Sequence, residues 1–403
     1  MRNISVDPLR HLKYCLSLWG QKRRLLVLCY FVLAFKLFGF VLRTIFILKS
    51  MNNVEMLLEV SATYPIPLLA LIKMGFLLSK HENVRFLFSC VERKFWDFST
   101  GGRRLQKYWT KRFFVVNSLL LQHFTVACAY VILHLAFAEV PIPEGRTRWL
   151  PTLIAFPVNT DTSPVYEILY AILSWNLFIS IFGNAFFDLL FVYAAQHLCA
   201  QFMLLKAMLK KVDFGLVEHH GDVVKFKSKT FQTEVYSRLV ICINHHSLLL
   251  RYGRELKNLS SLIFGVQLLT TLLTLVMTGY TLSQDFEELT KSTMLLSFVF
   301  SSAMQFSIFA FQSADIHHQS SSVAEAAYQC NWYLFNAKAK RGLTLLIMNS
   351  QQGISMCGAG IVVMDNRVIV KVIHHHGSNC SWVDFFLVDG AESVFLHHIT
   401  AVL

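Results

Sequence analysis

Seven apolar stretches, at residues 25–48, 61–79, 113–138, 165–192, 259–283, 294–314 and 343–373, alternate with polar segments along the chain. A helix needs roughly 20 apolar residues to cross a hydrocarbon core of about 30 Å, so each stretch is predicted to be a transmembrane helix. The fold class expected is therefore an all-α polytopic membrane protein. Two of its helices are expected to outrun the bilayer. The run Phe186 to Leu209 continues as an amphipathic helix with Lys206, Lys210 and Lys211 at its wet end. Val235, Leu239, Ile243, Leu249 and Leu250 keep helical spacing from Thr230 to Leu259, where the fifth stretch begins. Segments 193–258 and 315–342 are thus predicted to form a packed anchor layer outside the membrane. The segment 139–164 carries Pro141, Pro143, Pro151, Pro157 and Pro164, which excludes regular helix there.

Charge orients the bundle. Of 37 Lys and Arg residues, 28 fall in segments 1–24, 80–112, 193–258 and 315–342, whereas the opposite loops hold only Lys49, Arg146, Arg148 and Lys291. Cytoplasmic loops retain such an excess, which places the N-terminus and the anchor layer in the cytoplasm. An odd number of crossings puts the C-terminus outside. The hydrophobic share of 54%, the mean hydropathy of +0.47 and the net charge of +12 fit basic loops lying against an anionic leaflet. The lipid bilayer is the partner this charge implies, and nucleic acid is not needed to explain it. No cleavable signal is visible, and the first helix is expected to serve as the targeting segment.

Reactive side chains add little chemistry. The nine cysteines show no metal-ligand spacing, and the doublets at His219, His245, His317 and His397, like the triplet at His374, point in different directions on a helix. No metal, cofactor or catalytic motif is expected, and an enzyme is not expected either. Asn379-Cys380-Ser381 has the glycosylation pattern but would be a poor acceptor so near the membrane. Lys36 and Arg43, seven residues apart on one helix face, are expected to snorkel, with Lys73 open to the same reading. Asp188 is expected to face protein, paired or hydrogen-bonded. Trp332 and Tyr333 read equally as an interface belt or as buried anchors of a protein contact.

An ordered set of short patterns carries a resemblance. Arg148-Trp149-Leu150-Pro151 is followed by Phe156-Pro157 and Ser163-Pro164-Val165-Tyr166-Glu167; Cys242-Ile243-Asn244-His245-His246 precedes Leu249-Leu250. Ala326-Ala327-Tyr328, Asn331-Trp332-Tyr333, Leu345-Leu346-Ile347-Met348 and Ser350-Gln351-Gln352 come last. In this order they resemble the insect odorant receptor family, whose orientation agrees with the charge count. The resemblance implies a subunit of a ligand-gated, non-selective cation channel in the plasma membrane of sensory neurons. It also implies a hetero-tetramer with a co-receptor subunit, opened by a small volatile organic ligand. Such a ligand calls for a mostly apolar cavity with aromatic and sulfur walls. The candidates are Tyr64, Leu68, His123, Phe124, Cys128, Tyr130, Trp175, Phe178, Ile181, Met304 and Phe306. Trp332 and Tyr333 are the candidate subunit contacts, and Val372, Ser378, Trp382 and Phe386 the candidate pore positions.

The terminus departs from the family pattern. Asn379-Cys380 stands where an aromatic pair is expected, and residues 374–403 form an atypical tail. The alternative within channels is a gustatory receptor. A G-protein-coupled receptor would need the N-terminus outside, and a secondary transporter should show repeated halves.

Overall fold

The computed structural model describes residues 23–49, 51, 60, 64–137, 150, 162–214, 216, 228–284, 289–365 and 367. Its helices are α1 (Arg23–Lys49), α2 (Pro65–Ser79), α3 (His81–Arg93), α4 (Arg103–Phe137), α5 (Val165–Leu209), α6 (Lys229–Gln284), α7 (Leu289–Tyr328) and α8 (Ala337–Ser350). Short 3₁₀ turns sit at Phe98–Gly101 and Trp332–Leu334. A two-residue antiparallel pair, β1 (Cys357–Gly358) and β2 (Val362–Val363), closes the described chain, with Cys357 opposite Val363 and Gly358 opposite Val362.

The first six apolar stretches correspond to α1, α2 and α4–α7, with α2 beginning at Pro65 and α4 described to Phe137. By length and composition, Val27–Lys49, Val165–Leu209 and Lys229–Gly279 are apolar enough to cross a membrane, and Pro65–Ser79 is a shorter apolar helix. The expected overrun of two helices is present: α5 runs for 45 residues and α6 for 56. At about 1.5 Å per residue, each extends well beyond a bilayer core.

Over residues 343–365 the chain does not form the single helix expected of the seventh stretch. Helix α8 ends at Ser350, and Gly353, Ala359 and Gly360 take positive φ values of 61°, 51° and 77°. These left-handed positions break the helix, and the intervening chain folds into the β1–β2 hairpin. Helix α8 itself is amphipathic. It buries Ala339, Leu343, Leu346 and Ser350 while Leu345 and Met348 are exposed. Its first turn is capped by Asn336, whose side chain accepts from the Ala339 N–H at 2.9 Å.

Helix α5 is the axis of the molecule and packs against α1, α2, α4, α6 and α7. Its buried face continues into a core in which Phe191 meets Phe264 at 4.8 Å and Phe309 at 5.6 Å, both edge-to-face. Edge-to-face rings add to the gain from area burial. In the anchor layer, Gln232 of α6 fixes the α7–α8 connection, donating to the Leu334 carbonyl at 2.8 Å and accepting from the Asn336 N–H at 2.7 Å.

Candidate functional site

Several polar groups on the apolar helices find one another across the bundle. Lys73 of α2 donates to Asp188 of α5 at 2.7 Å, with both side chains buried. The other Asp188 oxygen accepts from Gln305 of α7, whose own oxygen accepts from Gln267 of α6 at 3.1 Å. Ser302 and Thr271 extend the line at 3.3 Å. Phe187 and Phe309 present their rings to the Lys73 ammonium at 5.5 and 5.4 Å. Four helices are thereby tied at one level. Asp188 is paired, as expected from the cost of burying a carboxylate alone.

A second polar cluster lies on α1. Lys36 is 1% exposed and donates to the Asn176 side chain at 2.7 Å, to the Asn176 carbonyl at 3.2 Å and to the Ser180 hydroxyl. It does not snorkel, because a polar notch on α5 receives it in place. Gly39 makes the close approach possible, since a Cβ there would lie 2.5 Å from the Asn176 side chain. Arg43 is likewise buried and donates to the Val60 carbonyl at 3.4 Å. The snorkelling expectation fails for both residues for the same reason: acceptors on neighbouring elements hold them inside the bundle.

The sequence-predicted cavity residues scatter around these clusters. Tyr64, at the start of α2, shares a hydrogen bond of 3.0 Å with Thr44 and packs with its ring tilted against Phe40, centroids 5.1 Å apart. Leu68, Cys128, Phe178, Ile181 and Met304 are half-buried, and Phe306 is buried in the helical core. The side chains of His123, Phe124 and Tyr130 lie outside the described residues. Trp175 is placed apart from these residues. The buried face of α5 runs through Leu169, Leu173 and Ser180, and Trp175 points away from it at 64% exposure. Two residues beyond Leu173 is about 200° around a helix. Val372, Ser378, Trp382 and Phe386 fall outside the described residues.

The anchor layer shows what sequence reasoning missed. Trp96 stacks on His245 at 3.7 Å and 11°, and Gln201 bonds to both. Burial lowers the pKa of His245, helped by its neighbour His246, and burial lowers that of His246, each to about 4. The doublet read from sequence as non-chelating is therefore a pair of neutral core rings. Trp332 and Tyr333 lie on the surface with Tyr328, forming a run of rings 6.0 and 6.4 Å apart capped by Lys340 over Trp332 at 5.8 Å.

The 7tm Odorant receptor family model matches residues 53–373. Among curated proteins, the chain is 22% identical over 380 residues to Odorant receptor 10 of Aedes albopictus, covering 93% of this chain and 89% of the relative. It is 21% identical to Odorant receptor 22c and 25% identical to Odorant receptor 82a of Drosophila melanogaster. The matches to these two span 54% and 58% of this chain and only 55% and 59% of theirs. Its fold is that of the insect olfactory receptor OR5 from Machilis hrabei, with a TM-score of 0.71 at 12% identity over 89% of this chain and 87% of that one. The same receptor in complex with eugenol superposes with a TM-score of 0.64 at 13% identity, over 96% and 91% of the two chains. A match that runs from the residues before α2 to beyond the terminal hairpin, together with the shared helical fold, settles the assignment: this chain belongs to the 7tm odorant receptor family.

Proposed function

We propose that this chain is an odorant receptor subunit that binds a small volatile organic ligand and gates a non-selective cation channel together with a co-receptor subunit. The family match over residues 53–373 carries this reading. The likeness in fold to a receptor solved with eugenol supports a small organic molecule as ligand. The pocket is assigned to the membrane half between α2, α4, α5 and α7, with Tyr64, Leu68, Phe178, Ile181 and Met304 as walls and Trp175 outside it. These half-buried side chains offer apolar surface with few polar handles, which suits a small apolar guest. Tyr64 and the Lys36–Asn176 cluster supply the orienting groups.

Trp332 and Tyr333 are assigned to subunit contact in a hetero-tetramer, and the segment following the β1–β2 hairpin to the pore. The receptor acts at the plasma membrane of sensory neurons. The test is to express the chain with and without the co-receptor and record currents during a panel of volatiles. Odorant-evoked cation current that requires both subunits is expected. Surface-expressed receptor with no current to any volatile, or full current without the co-receptor, would overturn the proposal.

A further inference from the structure

A cleft of about 460 Å³ opens between α4 and α7. Its α4 wall is one helix face, Tyr108, Lys111, Arg112, Val115 and Val116, and its α7 wall is Ile308, Phe311 and Gln312. The lining is graded along the helix axes. Val115, Val116 and Ile308 stand toward the apolar stretches, whereas Lys111 and Arg112 lie at the basic end of α4. Arg112 is engaged by Asp315 at 2.5 Å. Lys111 has no anionic partner among the described residues. A neighbouring cleft, which shares Tyr108, adds Lys206 and Lys210 against Glu325. Positive charge therefore exceeds negative around the mouth.

One buried group points to a ligand independently. Gln312 is 3% exposed, yet its side-chain oxygen has no hydrogen-bond partner among the described residues. A buried amide left unsatisfied is costly, and a polar guest in the cleft would supply the missing partner. Phe311 and Val115 are meanwhile exposed beside it, which suits a site open to acyl chains.

We infer that this cleft binds an anionic phospholipid of the cytoplasmic leaflet, its phosphate at Lys111, its headgroup hydroxyls or amine at Gln312, and one acyl chain along Val115, Val116 and Ile308. Basic residues near an anionic leaflet attract such headgroups, and the apolar end of the cleft selects a lipid over a free anion.

The test uses the full-length receptor in mild detergent, with retained lipid read by native mass spectrometry. Phosphatidylserine, phosphatidylcholine of the same acyl chains, and inorganic phosphate are the probes. Phosphatidylserine is expected to be retained at least fivefold over phosphatidylcholine, and Lys111→Ala is expected to lower its retention about fivefold. Lys107→Ala, an exposed change outside the cleft, should leave retention unchanged. If Lys111→Ala lowers the folded yield, Lys111→Gln is read in its place. Equal retention of the two lipids would overturn the inference. Equal losses from Lys107→Ala and Lys111→Ala would do the same, as they would reveal a diffuse basic belt. Displacement of the lipid by millimolar inorganic phosphate would show a free-anion pocket and overturn the lipid assignment.

Discussion

Gln201 and Trp96 hydrogen-bond each other in both directions: the Trp96 N–H donates to the Gln201 oxygen at 3.1 Å, and the Gln201 amide donates back to the Trp96 carbonyl at 3.0 Å. The same Gln201 oxygen lies 3.0 Å from His245 Nε2. One side chain of α5 therefore holds both the segment between α3 and α4 and the middle of α6. Gln201→Leu keeps the volume but leaves the Trp96 peptide groups without these partners. A loss of about 2–3 kcal/mol is expected, since unsatisfied buried polar groups cost about 1–3 kcal/mol each. Thermal unfolding of the detergent-solubilised receptor checks this, and an unchanged melting temperature would show that the clamp is dispensable.

The anchor layer should also weaken in acid. His245 and His246 are held at about 4, below the 6.5 of a free imidazole, so the unfolded chain binds protons more readily than the folded one. Their contribution is complete above pH 6.5 and is lost as pH falls toward 4. The slope is on the order of 1.4 kcal/mol per pH unit for each ring. Melting at about pH 5 is expected well below that at neutral pH, and His245→Phe, which retains a ring against Trp96, should remove part of the difference. A melting temperature that is flat over this range would show that neither ring is buried neutral.

Much of this architecture is legible in the sequence, and the failures have a physical pattern. Apolar length and basic loops predict the spans because lipid exposure and charge placement act on whole segments. The overrun of α5 shows in the run Phe186 to Leu209, and that of α6 in the spacing of Val235, Leu239 and Ile243 on a helix that runs unbroken to Gln284. Pairings are less visible. Lys36 looks free to snorkel until Asn176 and Ser180, about 140 residues away, are known to face it. The end of α8 was signalled by the polar run Asn349 to Gln352 and by Gly353, but hydropathy averaged over 343–373 conceals so short a break. Trp175 illustrates the opposite case: its apolar character is plain in the sequence, while the side of α5 it occupies depends on which face packs.

The Lys73–Asp188 pair is expected to behave as a unit. Asp188→Leu leaves the ammonium buried among Phe187 and Phe309, and breaking such a pair costs about 3–5 kcal/mol. Replacing both, as Lys73→Met with Asp188→Leu, should recover most of that loss, because well-packed apolar residues often replace buried ions without penalty. Surface expression and melting of the two single variants and the double variant provide the measurement. A double variant as poor as the worse single would indicate that Gln305 requires the carboxylate in its own right.

Trp332→Ala is expected to weaken assembly and leave the subunit fold intact. Trp332 is 37% exposed and sits among Tyr328, Tyr333 and Lys340, so its loss opens no core cavity. A buried aromatic anchor of an interface contributes about 2 kcal/mol or more, which corresponds to a reduction of roughly thirtyfold in association. Co-purification with the co-receptor subunit measures this. Unaltered yield would favour a membrane-belt role for the three rings.

Gly265 should prove intolerant of a side chain, and the reason is the hairpin. A Cβ at Gly265 would lie 2.7 Å from the Ala359 Cβ and 3.1 Å from its backbone nitrogen. That nitrogen is the group that ties the hairpin to α6, donating to the Ser261 carbonyl at 2.7 Å. Gly265→Val must therefore lift the hairpin or bend α6, at about 1–3 kcal/mol for overpacking. Gly265→Ala tests the contact more gently, because Ala359→Gly removes the opposing methyl. Ala359 also sits at a φ of 51°, where glycine is favoured, so Ala359→Gly alone must be measured and subtracted. The coupling left over in that cycle isolates the steric contact. Rescue of melting by the double variant beyond the effect of Ala359→Gly alone is expected, and odorant-evoked current should follow it, since the hairpin leads into the segment assigned to the pore. Recovery of stability without current would separate the seating of the hairpin from gating.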